Sequence, residues 1–222
     1  MKIIFSIFAL ASVFVASVSA EVSLKSEGRD TAYVAKIIDR AQKNISAVEF
    51  PDTATWEAVR NIVVNRYFEL NDIYAERDTT MARAKRQLTG DEKNHAVDAA
   101  KALCDSKLYR SHFAFAANLS LYINEEQIEQ VKDGITMGVV AVTYKANVDM
   151  IPTLTDEEKA QILAWLKEAR ELALDAESSK KKHEVFGKYK GRINNYLAKR
   201  GYDLKAEREA WYKRMDEAGI KY

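Results

Sequence analysis

Cysteine occurs once in this chain, proline twice and glycine eight times among 222 residues. Each scarcity excludes something. With Cys104 alone there is no internal disulfide, so stability has to come from a packed core. Its neighbours Ala102, Leu103 and Leu108 read as a buried helical environment, not that of a catalytic thiol, which needs a lowered pKa and a paired base. Two prolines, Pro51 and Pro152, and few glycines leave little to interrupt helices. Net charge is scarce too: 34 Lys and Arg against 33 Asp and Glu give +1. That balance argues against a dedicated nucleic-acid binder, whose affinity rests on excess cations.

What is present begins with a leader. Lys2 precedes an apolar run from Ile3 to about Val18, and Val18 and Ala20 stand where a signal peptidase reads small residues. Residues 1–20 are therefore expected to be a cleaved signal peptide, and 21–222 a single all-helical domain. The run is slightly short for a membrane span, which needs roughly 20 apolar residues, and no basic stop-transfer flank follows. No cysteine follows to carry a lipid anchor. The reading is a secreted or periplasmic protein with no membrane attachment after cleavage. A chain of this size buries roughly 70% of its unfolded surface.

Ala, Glu, Lys, Leu and Arg dominate, and the apolar spacing is helical. Val34, Ile37, Ile38, Ala41, Ile45 and Val48 form one stripe. A second helix is expected from Thr53 through Arg86, turning Trp56, Val59, Val63, Tyr67, Leu70 and Tyr74 inward. A third follows Thr89 and carries Ala99, Leu103, Tyr109, Phe113, Ala116 and Leu119. Shorter helices are expected near 125–134, 156–177, 181–199 and 203–218, making an all-α domain of six to seven helices. Thr89 and Thr155 stand three residues before Glu92 and Glu158, and Asn124 three before Gln127, the spacing of a capping box. An apolar residue precedes each, and the uneven spacing excludes a solenoid repeat. The Leu-Thr pairs at 88–89 and 154–155 also resemble segments of small helical periplasmic chaperones. Residues 134–144, rich in β-branched side chains and bounded by glycine, read as a buried extended connection or short strand.

No His-Glu-x-x-His, Gly-x-Ser-x-Gly or Cys-x-x-Cys motif occurs, and no metal or cofactor is implied. His95, His112 and His183 are dispersed. Asp72 and Glu76 share a face at a spacing too common to mean catalysis. Asn44-Ile45-Ser46 and Asn118-Leu119-Ser120 match glycosylation acceptors but fall on expected helices. The most unusual stretch runs from Ser179 to Asp203. As a helix it has a core stripe (Phe186, Tyr189, Ile193, Tyr196, Leu197), a basic stripe (Lys188, Arg192, Asn195, Lys199), and a third face with His183, Gly187, Lys190, Gly191 and Asn194. Two interior glycines cost about 1 kcal/mol each relative to Ala, so something is expected to approach that backbone closely. One reading is a neighbouring helix packed over Gly187 and Gly191. The other is a ligand held by Lys190, Arg192, Asn194 and Asn195, groups suited to hydroxyls and carboxylates. Gly201 is expected as a helix C-cap and Asp203 as the next N-cap.

Several segments together resemble a known family: Tyr67-Phe68-Glu69-Leu70-Asn71-Asp72-Ile73, Val131-Lys132-Asp133-Gly134-Ile135-Thr136, Met150-Ile151-Pro152-Thr153-Leu154-Thr155, Lys190-Gly191-Arg192-Ile193-Asn194-Asn195-Tyr196-Leu197 and Gly201-Tyr202-Asp203. These resemble domain of unknown function 3826, an uncharacterised family of exported bacterial proteins, over nearly the whole chain after the leader. The resemblance implies a sugar-binding role and carries no catalytic residues. The leading expectation is an exported carbohydrate-associated protein that binds a carbohydrate or polysaccharide. Lys190, Arg192, Asn194 and Asn195 would meet the sugar, with Tyr144, Tyr202 or Trp211 as an apolar platform and His183 beside them. A second is a glycan lyase or hydrolase using Lys190 or His183 as acid or base and Arg192 to neutralise a uronate. A third is a chaperone-like or structural helical protein. Oligomeric state is not legible.

Overall fold

The computed structural model describes residues 21–220, and the expected signal peptide lies outside them. Among the described residues there are eight α-helices and no strand. They are α1 Thr31–Asn44, α2 Thr53–Gln87, α3 Gly90–Leu119, α4 Glu125–Ile135, α5 Val139–Met150, α6 Asp156–Leu174, α7 Ser179–Lys199 and α8 Leu204–Glu217. No helix among them is long and apolar enough to cross a membrane.

Side chains that bond the first free backbone N–H groups set most helix starts. Asp30, Asp52, Ser178 and Asp203 each accept from the turn they precede. Asn124 with Gln127 and Thr155 with Glu158 form reciprocal capping boxes. Thr89 occupies the N-cap of α3 but its side chain makes no cap bond. Gly90 follows it with φ +52°, a left-handed start that sets the first turn apart from an ordinary capping box. At the other end of α7, Gly201 (φ +96°) sits just past Arg200, and Tyr202 N–H bonds back to the Leu197 carbonyl.

Two cores result. The first joins α1 to α4 around Ile45, Val59, Val63, Phe68, Leu119 and Val131. The second joins α5 to α7 around Ile151, Ile162, Leu166, Phe186, Ile193 and Leu197, with Tyr202 and Leu204 packed on its edge. Helix α6 spans both, packing on α4, α5 and α7. At the α1–α4 crossing, a Cβ on Gly134 would stand 1.8 Å from the Asn44 carbonyl oxygen. Here glycine is required by contact.

Two expectations are corrected. Residues 134–144 are no strand or extended connection. Helix α4 runs to Ile135, Met137 (φ 62°) and Gly138 (φ 64°) turn the chain in the left-handed region, and α5 begins at Val139. Burial of Val140, and the packing of α5 on α6, outweigh the modest helix propensity of valine and threonine. This helix brings the count to eight. The inward face of α3 is also different. Ala100, Cys104, Ser111, Phe115 and Leu119 are buried, whereas Leu103, Tyr109 and Phe113 are 48%, 69% and 60% exposed. Most of α3 packs only on α2, and small or polar side chains make the seam; Ser111 accepts from the buried guanidinium of Arg66. Hydrophobicity alone reports the wrong face of such a helix.

Candidate functional site

The residues singled out in the sequence are not gathered into one cavity. His183, Lys190, Arg192 and Asn195 are exposed on α7, and Asn194 is half-buried. Arg192 is already engaged: its guanidinium lies 4.5 Å from the Trp165 ring centroid and donates to Glu168 at 3.2 Å. Gly187 and Gly191 have open space where a Cβ would be, so no helix packs over them. Tyr202 donates to the Glu158 carboxylate at 2.7 Å. Tyr144 packs on the second core, and Trp211 stacks on Tyr212 on α8. None of these residues lines any of five clefts found between the helices.

A different cleft, of about 360 Å³, lies where the two cores meet. Helix α1 contributes Tyr33, Arg40 and Asn44, and α2 contributes Tyr67, Asn71 and Tyr74. The α4–α5 turn supplies Ile135 and Met137, and the α6–α7 connection with the first turns of α7 supplies Glu177, Ser178 and Lys182. Spacing on each helix explains the grouping. Tyr33, Arg40 and Asn44 fall at i, i+7, i+11, and Tyr67, Asn71 and Tyr74 at i, i+4, i+7, one face of each helix. The Gly134–Asn44 contact draws α4 against α1, which places the left-handed Met137 at the rim.

The connection forming one wall is tied down from below. Asp175 receives Arg66 and, at 2.9 Å, the His112 ring, while its backbone carbonyl accepts from Tyr74 Oη at 2.6 Å. Arg77 binds Glu177 at 2.7 Å. The bond from Asp175 raises the His112 pKa, and burial pushes the Tyr74 phenol up to about 12. A second buried cluster locks α6 to α4: Arg170 bonds Asp133 at 2.8 Å and also Glu129. The cleft wall is thus preorganised by fixed charges outside it.

Inside the cleft, Lys182 is only 5% exposed. Its ammonium donates to the Ile135 carbonyl at 3.0 Å and lies 5.6 Å from the Tyr67 ring centroid. Among the described residues no carboxylate lies within ion-pair distance of it. Burial, with the Arg40 charge adding to it, lowers its pKa to about 8. Arg40 sits 5.7 Å from the same ring centroid. Asn44 Nδ2 donates to Tyr67 Oη at 2.7 Å, leaving the phenol O–H to donate elsewhere.

A larger, more open groove of about 570 Å³ runs between α2 and α3. Four of its charges are spent on one another: Arg29 grips Asp72 through two bonds of 2.9 and 2.6 Å, and Lys107 binds Glu76. Those pairs engage both Asp72 and Glu76. No group of three or more His, Cys, Asp or Glu side chains able to hold a metal occurs among the described residues.

The sequence matches the family described as a protein of unknown function, DUF3826, over residues 34–216. The chain belongs to this family. No curated protein matches it in sequence. The DUF3826 match takes in every residue named for the cleft except Tyr33. Of that lining, Tyr67, Asn71 and Ile135 lie in segments quoted above for the family resemblance. Arg40, Asn44, Ser178 and Lys182 were missed. Asn44 read as a chance glycosylation match, and Lys182 was lost in a run of three lysines whose other two members are exposed.

Proposed function

We propose that this protein binds a saccharide in the cleft between α1, α2 and the start of α7. The observation that carries the reading is its lining: three tyrosines beside Arg40, Asn44, Asn71 and Lys182 in about 360 Å³. Aromatic rings cover the apolar face of a pyranose, while amides and cationic donors meet its hydroxyls. Mostly preformed walls with a few convergent polar groups are the usual build of a small-molecule site. Glu177 is the one carboxylate in the lining and is held by Arg77, which favours binding over hydrolysis by paired acids. Export directed by residues 1–20 would place extracellular or periplasmic glycans within reach.

The outer face of α7 is the second location, favoured by the open backbone at Gly187 and Gly191 beside Lys190, Asn194 and Asn195. Calorimetry of the protein with neutral and acidic mono- and disaccharides tests the reading. Binding that is lost in Asn71→Ala and Tyr67→Ala but kept in the Asn194→Ala/Asn195→Ala double variant supports the cleft. The reverse pattern moves the site to α7, and no binding to any sugar removes the proposal.

A further inference from the structure

The charge of the cleft says which saccharides it takes. Two cations face it, Arg40 and Lys182, and both lie near the Tyr67 ring. Neither has a carboxylate partner among the described residues. In this they differ from Arg29, Arg66, Arg77, Arg170, Arg192 and Arg200, which are all ion-paired. The acid in the lining, Glu177, is taken by Arg77 from outside the cleft. The Arg40 guanidinium makes no hydrogen bond among the described residues, and Lys182 uses one of its three ammonium donors on a neutral carbonyl.

An ammonium removed from water without a counter-ion is costly, and two like charges sharing a cavity add to the cost. An oxyanion entering between them would relieve both, through charge-assisted bonds stronger than bonds to neutral hydroxyls. The dipole of α7, whose first turn opens on the cleft at Ser178 and Ser179, adds positive potential of the same sign. Resting on the saccharide reading above, we infer that the cleft selects acidic sugars, with a carboxylate or sulfate seated between Arg40 and Lys182 and the ring against the tyrosines. The lowered pKa of Lys182, set first by burial and then by Arg40, agrees with two charges close enough to repel.

Matched pairs test this: glucose against glucuronate, galactose against galacturonate, and galactose against galactose 6-sulfate, titrated calorimetrically into the protein and into Lys182→Met and Arg40→Gln. Arg40 is exposed, so its variant reports even if Lys182→Met fails to fold. The expected result is about tenfold tighter binding of an acid than of its neutral partner, a preference abolished in either variant. Which acid shows it, uronate or sulfated sugar, separates the two anion types. Equal affinity within every pair, or a preference that survives both variants, overturns this inference and leaves the saccharide reading standing. Absence of binding by every sugar overturns both.

Discussion

Lys182 and Ile135 tie together the two cores of the molecule. The ammonium at the start of α7 donates to the last carbonyl of α4 at 3.0 Å, 47 positions away in the chain. The pKa lowered from 10.5 to about 8 corresponds to a cost on the order of 3 kcal/mol for holding the charge. Lys182→Met removes that cost and leaves one carbonyl without its donor, a loss of about 1 kcal/mol. The variant is expected to be more stable at pH 7 by about 1–2 kcal/mol in urea denaturation while losing affinity for acidic sugars. A large loss of stability would show that the ammonium is mainly structural.

The same group sets the alkaline profile. Its folded pKa lies below its unfolded value, so the unfolded chain binds more protons between about 8 and 10.5. Stability of the protein is expected to rise as pH increases through that window, and Lys182→Met to lose that rise. Tyr67 and Tyr74, whose burial raises their pKa, act in the opposite sense, and their stabilisation is lost only above pH 10. His112 acts lower. Its pKa is raised above 6.5 by Asp175, so its contribution is complete below 6.5 and is lost as pH rises through the raised value. Denaturation across pH 5 to about 10 should therefore show a decline before the rise, with the decline absent in His112→Asn.

Three helical glycines should respond in opposite ways. Gly134→Ala drives a Cβ into the Asn44 backbone and is expected to cost more than about 3 kcal/mol, well beyond an ordinary surface substitution. Gly187→Ala and Gly191→Ala enter open space and should each stabilise by about 0.5–1 kcal/mol. Thermal denaturation of the three variants separates these outcomes.

Glu158 should govern acid sensitivity. It is buried and accepts from the Thr155 N–H, Arg200 and Tyr202, which hold its pKa near about 2 against an ordinary 4.5. Its stabilisation is present above pH 4.5 and is lost as pH falls through about 2. Glu158→Ala is expected to cost about 2–3 kcal/mol at pH 7, and the remaining acid dependence below 4.5 should shrink.

Local chemistry was legible in the sequence, and what depends on third-party packing was not. The boxes at Asn124–Gln127 and Thr155–Glu158, the C-terminal Gly201 and the cap at Asp203 are decided within a few residues, and each is present as read. Helix α5 was hidden because valine and threonine favour strands until burial decides otherwise. The α3 face was misread because its seam with α2 is built from Ala100, Cys104 and Ser111 beneath an arginine. Lys182 was invisible for a similar reason: nothing in a lysine run marks the one member that meets the end of α4. The helical face at 183–194 was correctly separated from the core stripe, but the glycines that drew attention to it have no close neighbour, and the glycine that does is Gly134.

The central claim, that the cleft around Tyr67 and Lys182 is the ligand site, is tested most directly by amide chemical-shift mapping of isotope-labelled protein titrated with galacturonate. Saturable shifts centred on Asn44, Tyr67, Asn71 and Lys182 are expected. Shifts confined to Lys190, Asn194 and Asn195, or none at millimolar sugar, would contradict it.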